Sequence, residues 1–275
     1  MPELPEVETV RSALEKYIYG RKFLRIDVRN ASLRWPVPVK KLQDLIVGQK
    51  IERIERRAKY LLVHMANKHI LMVHLGMSGV MRIVDKVTPL SAHDHLIFTL
   101  EEQQELRFND VRRFGFVDVV CADVLSEHPR IRHLGLEPLS ERFCGDELFV
   151  HSRKLKVAVK NFLMNSKYVV GIGNIYASES LFRSRINPKI AAGRISQERY
   201  RNLATHIKRT LSEAIAQGGT TLKDFQGVEG KPGYFRISLN VYDRAGEPCR
   251  RCQKNIKRIL QSGRSTFYCS ACQKR

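Results

Sequence analysis

The sequence lacks any apolar run that approaches the ~20 residues needed to span a bilayer as a helix. It also lacks a basic, apolar leader, because its first residues, MPELPEVETV, are rich in proline and glutamate. From these absences we expect neither an integral membrane protein nor a secretory signal peptide. We therefore expect a cytoplasmic protein without a membrane partner.

Acidic residues are scarce relative to basic ones. The chain has 28 Asp and Glu against 48 Lys and Arg, which gives a formal net charge of +20. Residues 153–167 contain five Lys or Arg and no acid, and residues 249–275 contain eight and no acid. Such a concentrated excess indicates a polyanionic partner, and nucleic acid fits better than a membrane because no basic amphipathic helix stands out. A generally basic soluble protein is the alternative, which the uneven distribution disfavours; we expect association with the nucleoid.

Six cysteines are present, and four share the spacing C-x2-C-x16-C-x2-C: Cys249, Cys252, Cys269 and Cys272. This spacing is typical of four thiolates around one tetrahedral zinc, whereas two structural disulfides are uncommon in a cytoplasmic protein. Four cysteine ligands leave no open position for a catalytic water, so the predicted zinc (Zn2+) is structural. Cys121 and Cys144 stand alone, and we expect them to be reduced thiols.

The first half of the chain has the pattern of one helix followed by many short strands. Apolar residues recur at helical spacing from Val7 to Ile18, and Pro5 suits a first turn, where its missing N–H is not needed. Between residues 23 and 120, branched or aromatic runs alternate with turn residues, which predicts a β-sandwich or barrel. Prolines and scattered charge at 126–142 indicate a linker.

The second half has helical periodicity. We predict a helix with Leu155, Val159 and Phe162 on its apolar face, a second at NIYASESLFRS, and a longer one that Ser196 caps. IKRIL and STFYC predict a hairpin within the cysteine-containing segment. The predicted domains are 1–130, a linker at 131–148, 149–237 and 238–275.

The N-terminus is a candidate for chemistry. Removal of Met1, which is normal before proline, would leave the secondary amine of Pro2 as the first group. α-Amino groups titrate near ~7.7–8.0, so a neutral fraction can attack an aldehyde-level carbon. Glu3 is placed to protonate a leaving or ring oxygen; Glu6 and Glu8 either orient that group or place favourable charge at the helix N-terminus. Taken alone, a proline that only protects or caps the chain is the simpler interpretation.

The chain resembles the bacterial formamidopyrimidine-DNA glycosylases, which excise oxidised purines such as 8-oxoguanine. The resemblance covers the whole chain and rests on the cysteine spacing and six motifs in the family's order: PELPEVE, RRAKYLL, HLGMSG, FNDVRRFG, VVGIGNIYASE and GRSTFYC. It implies an α+β multidomain protein, with an N-terminal β-sandwich and terminal helix, and a C-terminal helix–two-turn–helix with a zinc-finger hairpin. The implied partner is duplex DNA with oxidised bases, bound by a monomer.

The resemblance also implies a catalytic group. Pro2 attacks C1′ of an extruded nucleoside to form a Schiff base, and Glu3 protonates the deoxyribose ring oxygen. The strand is then cut by β,δ-elimination. Lys59 lies near the lesion phosphates, and Arg264 grips phosphate from the tip of the hairpin.

A second implied group binds DNA. Met77, Arg112 and Phe114 match the residues that fill the gap left by an extruded base, because a thioether, a guanidinium and a ring suit that task. Core packing is the alternative for Met77 and Phe114. The remaining members of the implied DNA-binding group are His93, Lys160 and Asn174.

Some features depart from the family's pattern or leave a choice open. Val111 stands where many members have proline, and Asp243 and Gln253 stand where glycine is common, so local turn geometry is expected to differ. FQGVEGKPGYF, at residues 225–235, is either a lesion-recognition loop, as the resemblance implies, or a plain connector.

Two rival functions stay open at this point. One is an endonuclease VIII-like glycosylase for oxidised pyrimidines, although that branch tends to read PEGPEI where this chain has PELPEV. The other is a non-catalytic zinc-containing DNA-binding protein, against which the intact Pro2 and Glu3 argue.

Overall fold

The computed structural model describes residues 2–220 and 239–274, which fall into two units. Among the described residues, the first unit comprises 2–132 and 217–220, and the second comprises 133–216 and 239–274. The division after residue 132 falls within the predicted linker. Residues 217–220, which follow the longest helix, group with the first unit.

Within the described residues, the first unit has two α-helices, eight strands and a short 3-10 helix (Ala122–Glu127). The α-helices are α1 (Leu4–Ile18) and α2 (Val39–Leu45). The strands are β1 (Arg25–Val28), β2 (Ile51–Arg57), β3 (Tyr60–Met65), β4 (His69–His74), β5 (Gly79–Asp85), β6 (Asp94–Thr99), β7 (Gln104–Asp110) and β8 (Phe116–Cys121). They form two antiparallel sheets, in the orders β1-β6-β7-β5 and β2-β3-β4-β8.

The two sheets share one hydrophobic core, which confirms the predicted β-sandwich. Leu61 and Val63 of β3 enter the same core as Leu106 and Phe108 of β7. The contributing positions alternate along most strands, because successive side chains of a strand point to opposite faces. Strand β2 is an exception: its core residues Ile51 and Ile54 are three positions apart, and its register shifts between Ile51 and Arg53. The runs that predicted strands did not include β5 or β7.

Helix α1 is fixed to the sandwich by an apolar and a charged contact. Val7, Val10 and Leu14 lie in the shared core at helical spacing, as predicted. On another face, the Glu8 carboxylate pairs with Arg11 of α1 at 2.6 Å and with Arg56 of β2 at 2.8 Å. The start of the chain is therefore an integrated part of the first unit.

In its described residues, the second unit has four α-helices and a hairpin, besides a short 3-10 helix (Ala192–Arg194). The α-helices and strands are α3 (Gly145–Ser152), α4 (Val159–Leu163), α5 (Asn174–Arg183), α6 (Gln197–Ala216), β9 (Lys257–Gln261) and β10 (Arg264–Tyr268). The hairpin appears where it was predicted, and α6 begins directly after Ser196. Helix α3 begins inside the predicted linker. No helix in the described parts of the chain has the length and apolarity to cross a membrane.

One predicted helix is shorter than expected. The interpretation of Leu155 as part of the same helix as Val159 was wrong, because α4 begins only at Val159. Ala158 has an extended backbone (φ −59°, ψ 142°), and the Val159 N–H donates to the Ile190 carbonyl at 2.7 Å. In a helix that included Leu155, the Val159 N–H would donate to the Leu155 carbonyl. Here it donates to Ile190 instead, so the helix begins only at Val159.

Candidate active site and nucleic-acid interface

The N-terminal segment places Pro2 and Glu3 immediately before α1. Both residues are buried, and Glu3 is the N-cap of the helix. The Glu6 carboxylate accepts the Glu3 backbone N–H at 2.8 Å, one half of a capping box, which satisfies a donor that the helix leaves unpaired. This contact sets the backbone direction of the first residues.

The same Glu6 carboxylate reaches a distant part of the chain within the first unit. Its Oε1 accepts the Thr220 backbone N–H at 2.8 Å, and Glu6 is fully buried. A Cβ on Gly219 would lie 3.1 Å from Glu6 Oε1, and Gly219 has a φ of +80°. Glycine therefore fits this close approach. Of the two orienting acids considered from sequence, Glu6 holds the terminal segment, whereas Glu8 forms ion pairs with arginines.

The turn between β2 and β3 carries Lys59, which is half-buried. Its charge acts on His74, at the end of β4. Burial first, and then the Lys59 cation, lower the pKa of His74 to about 4. The Gly76 N–H donates to His74 Nδ1 at 3.0 Å, so the neutral ring carries its proton on Nε2 and can donate from there.

Sequence reasoning assigned no chemistry to His74. Its position as the first residue of the HLGMSG motif was the available signal. The histidine lines a cleft of about 590 Å³ in the first unit. The lining residues include all three predicted gap-filling residues, two further arginines and His74: Met77, Arg112, Phe114, Arg34, Arg113 and His74.

Two loops bring the predicted gap-filling residues together. Met77 lies half-buried between β4 and β5, and Arg112 and Phe114 are exposed between β7 and β8. The Arg112 guanidinium carbon lies 4.9 Å from the centre of the Phe114 ring, a cation–π distance. Because Phe114 is 39% exposed, core packing does not explain it. Val111, beside them, is exposed in the turn after β7.

His93 lies on the segment just before β6 and is exposed. Its backbone carbonyl accepts the Asp110 N–H at 3.0 Å, which ties this segment to the end of β7. Its ring lies 6.2 Å from that of His95. The side chain is thus accessible, and its main chain is anchored to the loop that carries Arg112.

In the second unit, Lys160 lies in the interior rather than on the surface. It is 1% exposed, and its Nζ donates to Asn174 Oδ1 at 2.5 Å, Thr266 Oγ1 at 2.7 Å and the Ser265 carbonyl at 3.1 Å. An ammonium group has three donors, and all three have protein acceptors here. Lys160 therefore connects α4 to the start of α5 and to β10.

Asn174, the first residue of α5, shares this connection. Its Nδ2 donates to the Ser265 carbonyl at 2.9 Å, and Gly173 precedes it as the N-cap. The dipole and the backbone N–H groups of a helix N-terminus favour phosphate binding. Lys160 and Asn174 together hold β10 against this end of α5.

Arg264 begins β10 directly after a two-residue turn. Ser262 and Gly263 have φ values of 46° and 73°, and Arg264 pairs with Gln261 across the hairpin. Positive φ at both central residues is characteristic of the type I′ turn, which matches the twist of paired strands. The Arg264 side chain is exposed at the tip of the hairpin, as predicted.

The four predicted zinc ligands form one cluster. Their sulfur atoms lie within 4.8 Å of one another, with 3.9 Å between Cys249 and Cys272 and 3.5 Å between Cys252 and Cys269. Tetrahedral zinc with bonds of about 2.3 Å needs sulfurs about 3.8 Å apart. The backbone N–H of Lys254 is the main cause that lowers the pKa of the Cys252 thiol to about 7, which favours the thiolate a metal requires. The residues fit one structural zinc.

A buried carboxylate supports the backbone just before the cysteine cluster. Glu179 of α5 accepts the backbone N–H groups of residues 240–242, at 2.8–3.0 Å. The next residue, Asp243, has a φ of 61°, and Gln253 has a φ of 63°. Both residues, at positions where the sequence analysis expected glycine to be common, thus adopt the left-handed backbone that glycine favours.

Three family models match the chain in order. They describe the formamidopyrimidine-DNA glycosylase N-terminal domain (residues 1–117), the formamidopyrimidine-DNA glycosylase H2TH domain (134–226) and a zinc finger found in FPG and IleRS (246–275). Formamidopyrimidine-DNA glycosylase of Marinobacter nauticus is 49% identical over 274 residues, and that of Magnetococcus marinus is 50% identical over 277. In both cases the match covers all of both chains.

Solved structures agree with these matches. A mutant of Lactococcus lactis FPG in complex with Fapy-dG-containing DNA superposes with a TM-score of 0.92 at 32% identity, covering 100% of both chains. The MutM (FPG) protein of Thermus thermophilus gives a TM-score of 0.88 at 34% identity, covering 99% of this chain and 98% of the other.

The fold, the zinc cluster and the exposed basic loops define a DNA-binding repair enzyme with a β-sandwich, a helix–two-turn–helix and a zinc finger. The chain belongs to the formamidopyrimidine-DNA glycosylase family. It is a bifunctional DNA glycosylase and abasic-site lyase that removes oxidised purines from DNA in base excision repair.

Proposed function

We propose that the imino nitrogen of Pro2 is the nucleophile and Glu3 the proton donor of this activity. The observation that carries the proposal is the placement of both residues in a buried, hydrogen-bonded turn before α1. Glu6 holds that turn through the Glu3 N–H. A terminal residue kept in one position in this way meets the geometric demand on a nucleophile.

The proposed reaction begins at C1′ of the lesion nucleoside. The Pro2 lone pair forms a bond to C1′ as the bond from C1′ to the base nitrogen breaks, and the base leaves with the proton that the Pro2 nitrogen gives up. Glu3, in its acid form, gives a proton to the ring oxygen as the sugar opens, which produces an iminium ion. The iminium acts as an electron sink: loss of a C2′ proton expels the 3′ phosphate, and a second elimination expels the 5′ phosphate.

Three residues of the first unit are proposed to act on the duplex while the base is extruded. Met77, Arg112 and Phe114 share one cleft, and filling a vacated base position requires apolar and hydrogen-bonding groups of this kind. The support for this role is the exposure of Phe114 and its stacking with Arg112.

Other residues are proposed to bind the DNA backbone. Lys59 in the first unit and Arg264 in the second unit offer cations, and Asn174 adds the polar start of α5. His93 is accessible for a further contact, and neutral His74 offers an Nε2–H donor. Lys160 is proposed to act indirectly, by holding Asn174 and the hairpin.

Borohydride trapping tests the nucleophile. An 8-oxoguanine duplex incubated with the protein and borohydride should yield a covalent adduct whose mass places the link at Pro2, with Met1 absent. Pro2→Gly should trap much less adduct, because it replaces the secondary amine, whose iminium is permanently charged, with a primary amine. Glu8→Gln is the matched control, since Glu8 pairs with arginines on the same helix, and it should trap as the parent does. Equal trapping by Pro2→Gly, or a reactive chain that retains Met1, would eliminate Pro2.

A second assay tests Glu3 and the lesion class. Glu3→Gln should bind the lesion duplex but release no intact lesion base; unchanged release would remove Glu3 from its role. Duplexes with 8-oxoguanine or thymine glycol should differ in cleavage rate, with the oxidised purine faster. Faster cleavage of thymine glycol would favour the pyrimidine branch.

We also propose that the enzyme acts as a monomer at the nucleoid. All residues assigned to the reaction come from one chain, so a second copy has no part to supply. Light scattering after size exclusion should give a mass near 31.7 kDa without DNA.

A further inference from the structure

We propose that Ser78 and Asp110 are positioning residues that hold the loops of Met77, Arg112 and Phe114 in one arrangement before DNA binds. The inference rests on the proposed role of those three residues in filling the vacated base position. Neither Ser78 nor Asp110 was singled out from the sequence, although both lie in family motifs.

Ser78 joins the two loops through its hydroxyl group. Its Oγ donates to Asp110 Oδ1 at 2.7 Å and accepts the backbone N–H of Arg112 at 3.0 Å. Ser78 is 6% exposed and is the residue after Met77. One buried hydroxyl therefore links the backbone beside Met77 to the backbone of Arg112.

Asp110 is held from several sides. Its second carboxylate oxygen, Oδ2, accepts the Gly115 N–H at 2.7 Å, directly after Phe114. Its carbonyl accepts from His95 Nε2 at 2.8 Å. The side chain is fully buried, and both of its oxygens bind donors from the loops. Asp110 thus fixes the two ends of the 111–115 turn.

The backbones of the two loops also touch. A Cβ on Gly76 would lie 2.4 Å from the Phe114 carbonyl carbon, so only glycine allows this approach. Arg113, between the two exposed residues, has a φ of 55°, a left-handed value that a long side chain adopts at a cost. Such a conformation persists when the surrounding contacts determine it, and the Ser78–Asp110 pair provides them.

The residues that hold the loops in place differ from those proposed to contact DNA. The hydrogen-bonding groups of Ser78 and Asp110 are buried, whereas the side chains of Arg112 and Phe114 are exposed. Loops ordered in advance lose less conformational freedom on binding. A change at Ser78 should therefore affect the step in which the duplex is opened, and leave the chemistry at Pro2 intact.

The test uses Ser78→Ala and a matched control, Ser184→Ala. Ser184 is also a buried serine, and its hydroxyl donates to the Ser180 carbonyl at 2.7 Å in the second unit. Each variant is compared with the parent on two substrates. One is an 8-oxoguanine duplex, in which a base must be extruded; the other is a single-stranded oligonucleotide with an abasic site, which has neither a base to extrude nor a partner strand.

Ser78→Ala should slow cleavage of the duplex about tenfold or more, because displacement of positioned groups by an ångström has effects of this size. Cleavage of the single strand should stay within about twofold of the parent, and Ser184→Ala should match the parent on both substrates. Equal losses on both substrates, or no loss on the duplex, would overturn the proposal.

A spectroscopic measurement and a second variant keep the proposal testable if Ser78→Ala folds poorly. With 2-aminopurine beside the lesion, the fluorescence rise on mixing reports unstacking, and Ser78→Ala should slow it. Asp110→Asn is a second variant, which keeps an acceptor for the Gly115 N–H. The rate of its fluorescence rise should lie between the rates of Ser78→Ala and the parent. Parent-like rises for both variants would refute the positioning role.

Failure of the proposed function can be distinguished from failure of the positioning proposal. A parent protein that cleaves neither substrate would refute the assignment of Pro2 chemistry, whatever Ser78 does. A Phe114→Ala variant with a parent-like fluorescence rise would refute the gap-filling role itself. The positioning proposal fails when Phe114→Ala slows the rise and Ser78→Ala leaves it unchanged.

Discussion

Replacing Lys160 with methionine should weaken the second unit far more than removal of a surface charge would. Methionine keeps most of the side-chain volume, so the main loss is the ammonium group. Asn174 Oδ1 and Thr266 Oγ1 then lose a donor, whereas the Ser265 carbonyl keeps its bond from Asn174 Nδ2. Each buried acceptor left without a partner costs about 1–3 kcal/mol.

The parent protein loses stability by burying the Lys160 ammonium ion, and the methionine variant does not. This gain offsets part of the cost of the two unpaired acceptors. We therefore expect Lys160→Met to lower the free energy of unfolding by about 2–3 kcal/mol. Lys156→Met is the matched control, because Lys156 lies four residues earlier and is exposed. Its effect should stay within about 0.5 kcal/mol.

Hydrogen exchange measured by mass spectrometry on the zinc-loaded protein can localise the effect. Peptides from α5 and the hairpin should exchange faster in Lys160→Met than in Lys156→Met. Emission from Trp35, the single tryptophan and part of the first unit, should not change.

The opposite role for Lys160 has a distinct signature. A lysine that contacts phosphate directly would leave stability unchanged on substitution, and would reduce the slope of log affinity against log salt by about one. Equal stability of the two variants, together with that reduced slope, would refute the positioning of the hairpin by Lys160.

Three further outcomes are expected. His74→Asn should flatten the dependence of the free energy of unfolding on pH. The pKa of His74 is about 4 in the folded protein and about 6.5 in the unfolded chain, so the parent loses stability as pH falls from 6.5 towards 4. Urea titrations at several pH values check this, with exposed His151→Asn as the control, and an unchanged slope would contradict it. Gln253→Gly should raise the free energy of unfolding by about 0.5–1 kcal/mol, because a non-glycine residue at φ 63° is strained; a lower melting temperature of the zinc-loaded protein would show that the side chain compensates. Zinc chelation should reduce DNA affinity while Trp35 emission persists, and simultaneous loss of both would show that the two units unfold together.

Local patterns were sufficient to predict much of the site. The period of α1, the spacing of Cys249 to Cys272 and the Gly263 turn all depend on neighbours within a few residues or on one short motif. The structure bears out each of these. The segment at 225–235, interpreted as either a lesion-recognition loop or a plain connector, lies outside the described residues, and that choice stays open.

Strands β5 and β7 were missed because polar residues interrupt their pattern. Arg107 on β7 is 1% exposed, and it is satisfied by Glu105 and by the carbonyls of Thr88 and Pro89. A buried arginine with such partners looks like a surface residue in sequence. Its environment depends on which loop the fold brings beside it.

The sequence by itself determined the family, the zinc ligands and the amphipathic elements, because these follow from residue types at short spacing. Tertiary structure alone decided that Lys160 is an interior connector and that Ser78 and Asp110 join two exposed loops. Ser78 and Asp110 are 32 positions apart in the sequence, and Lys160 is more than 100 positions from its partners on β10. Their partners are set by sheet register and helix packing, which no local pattern contains.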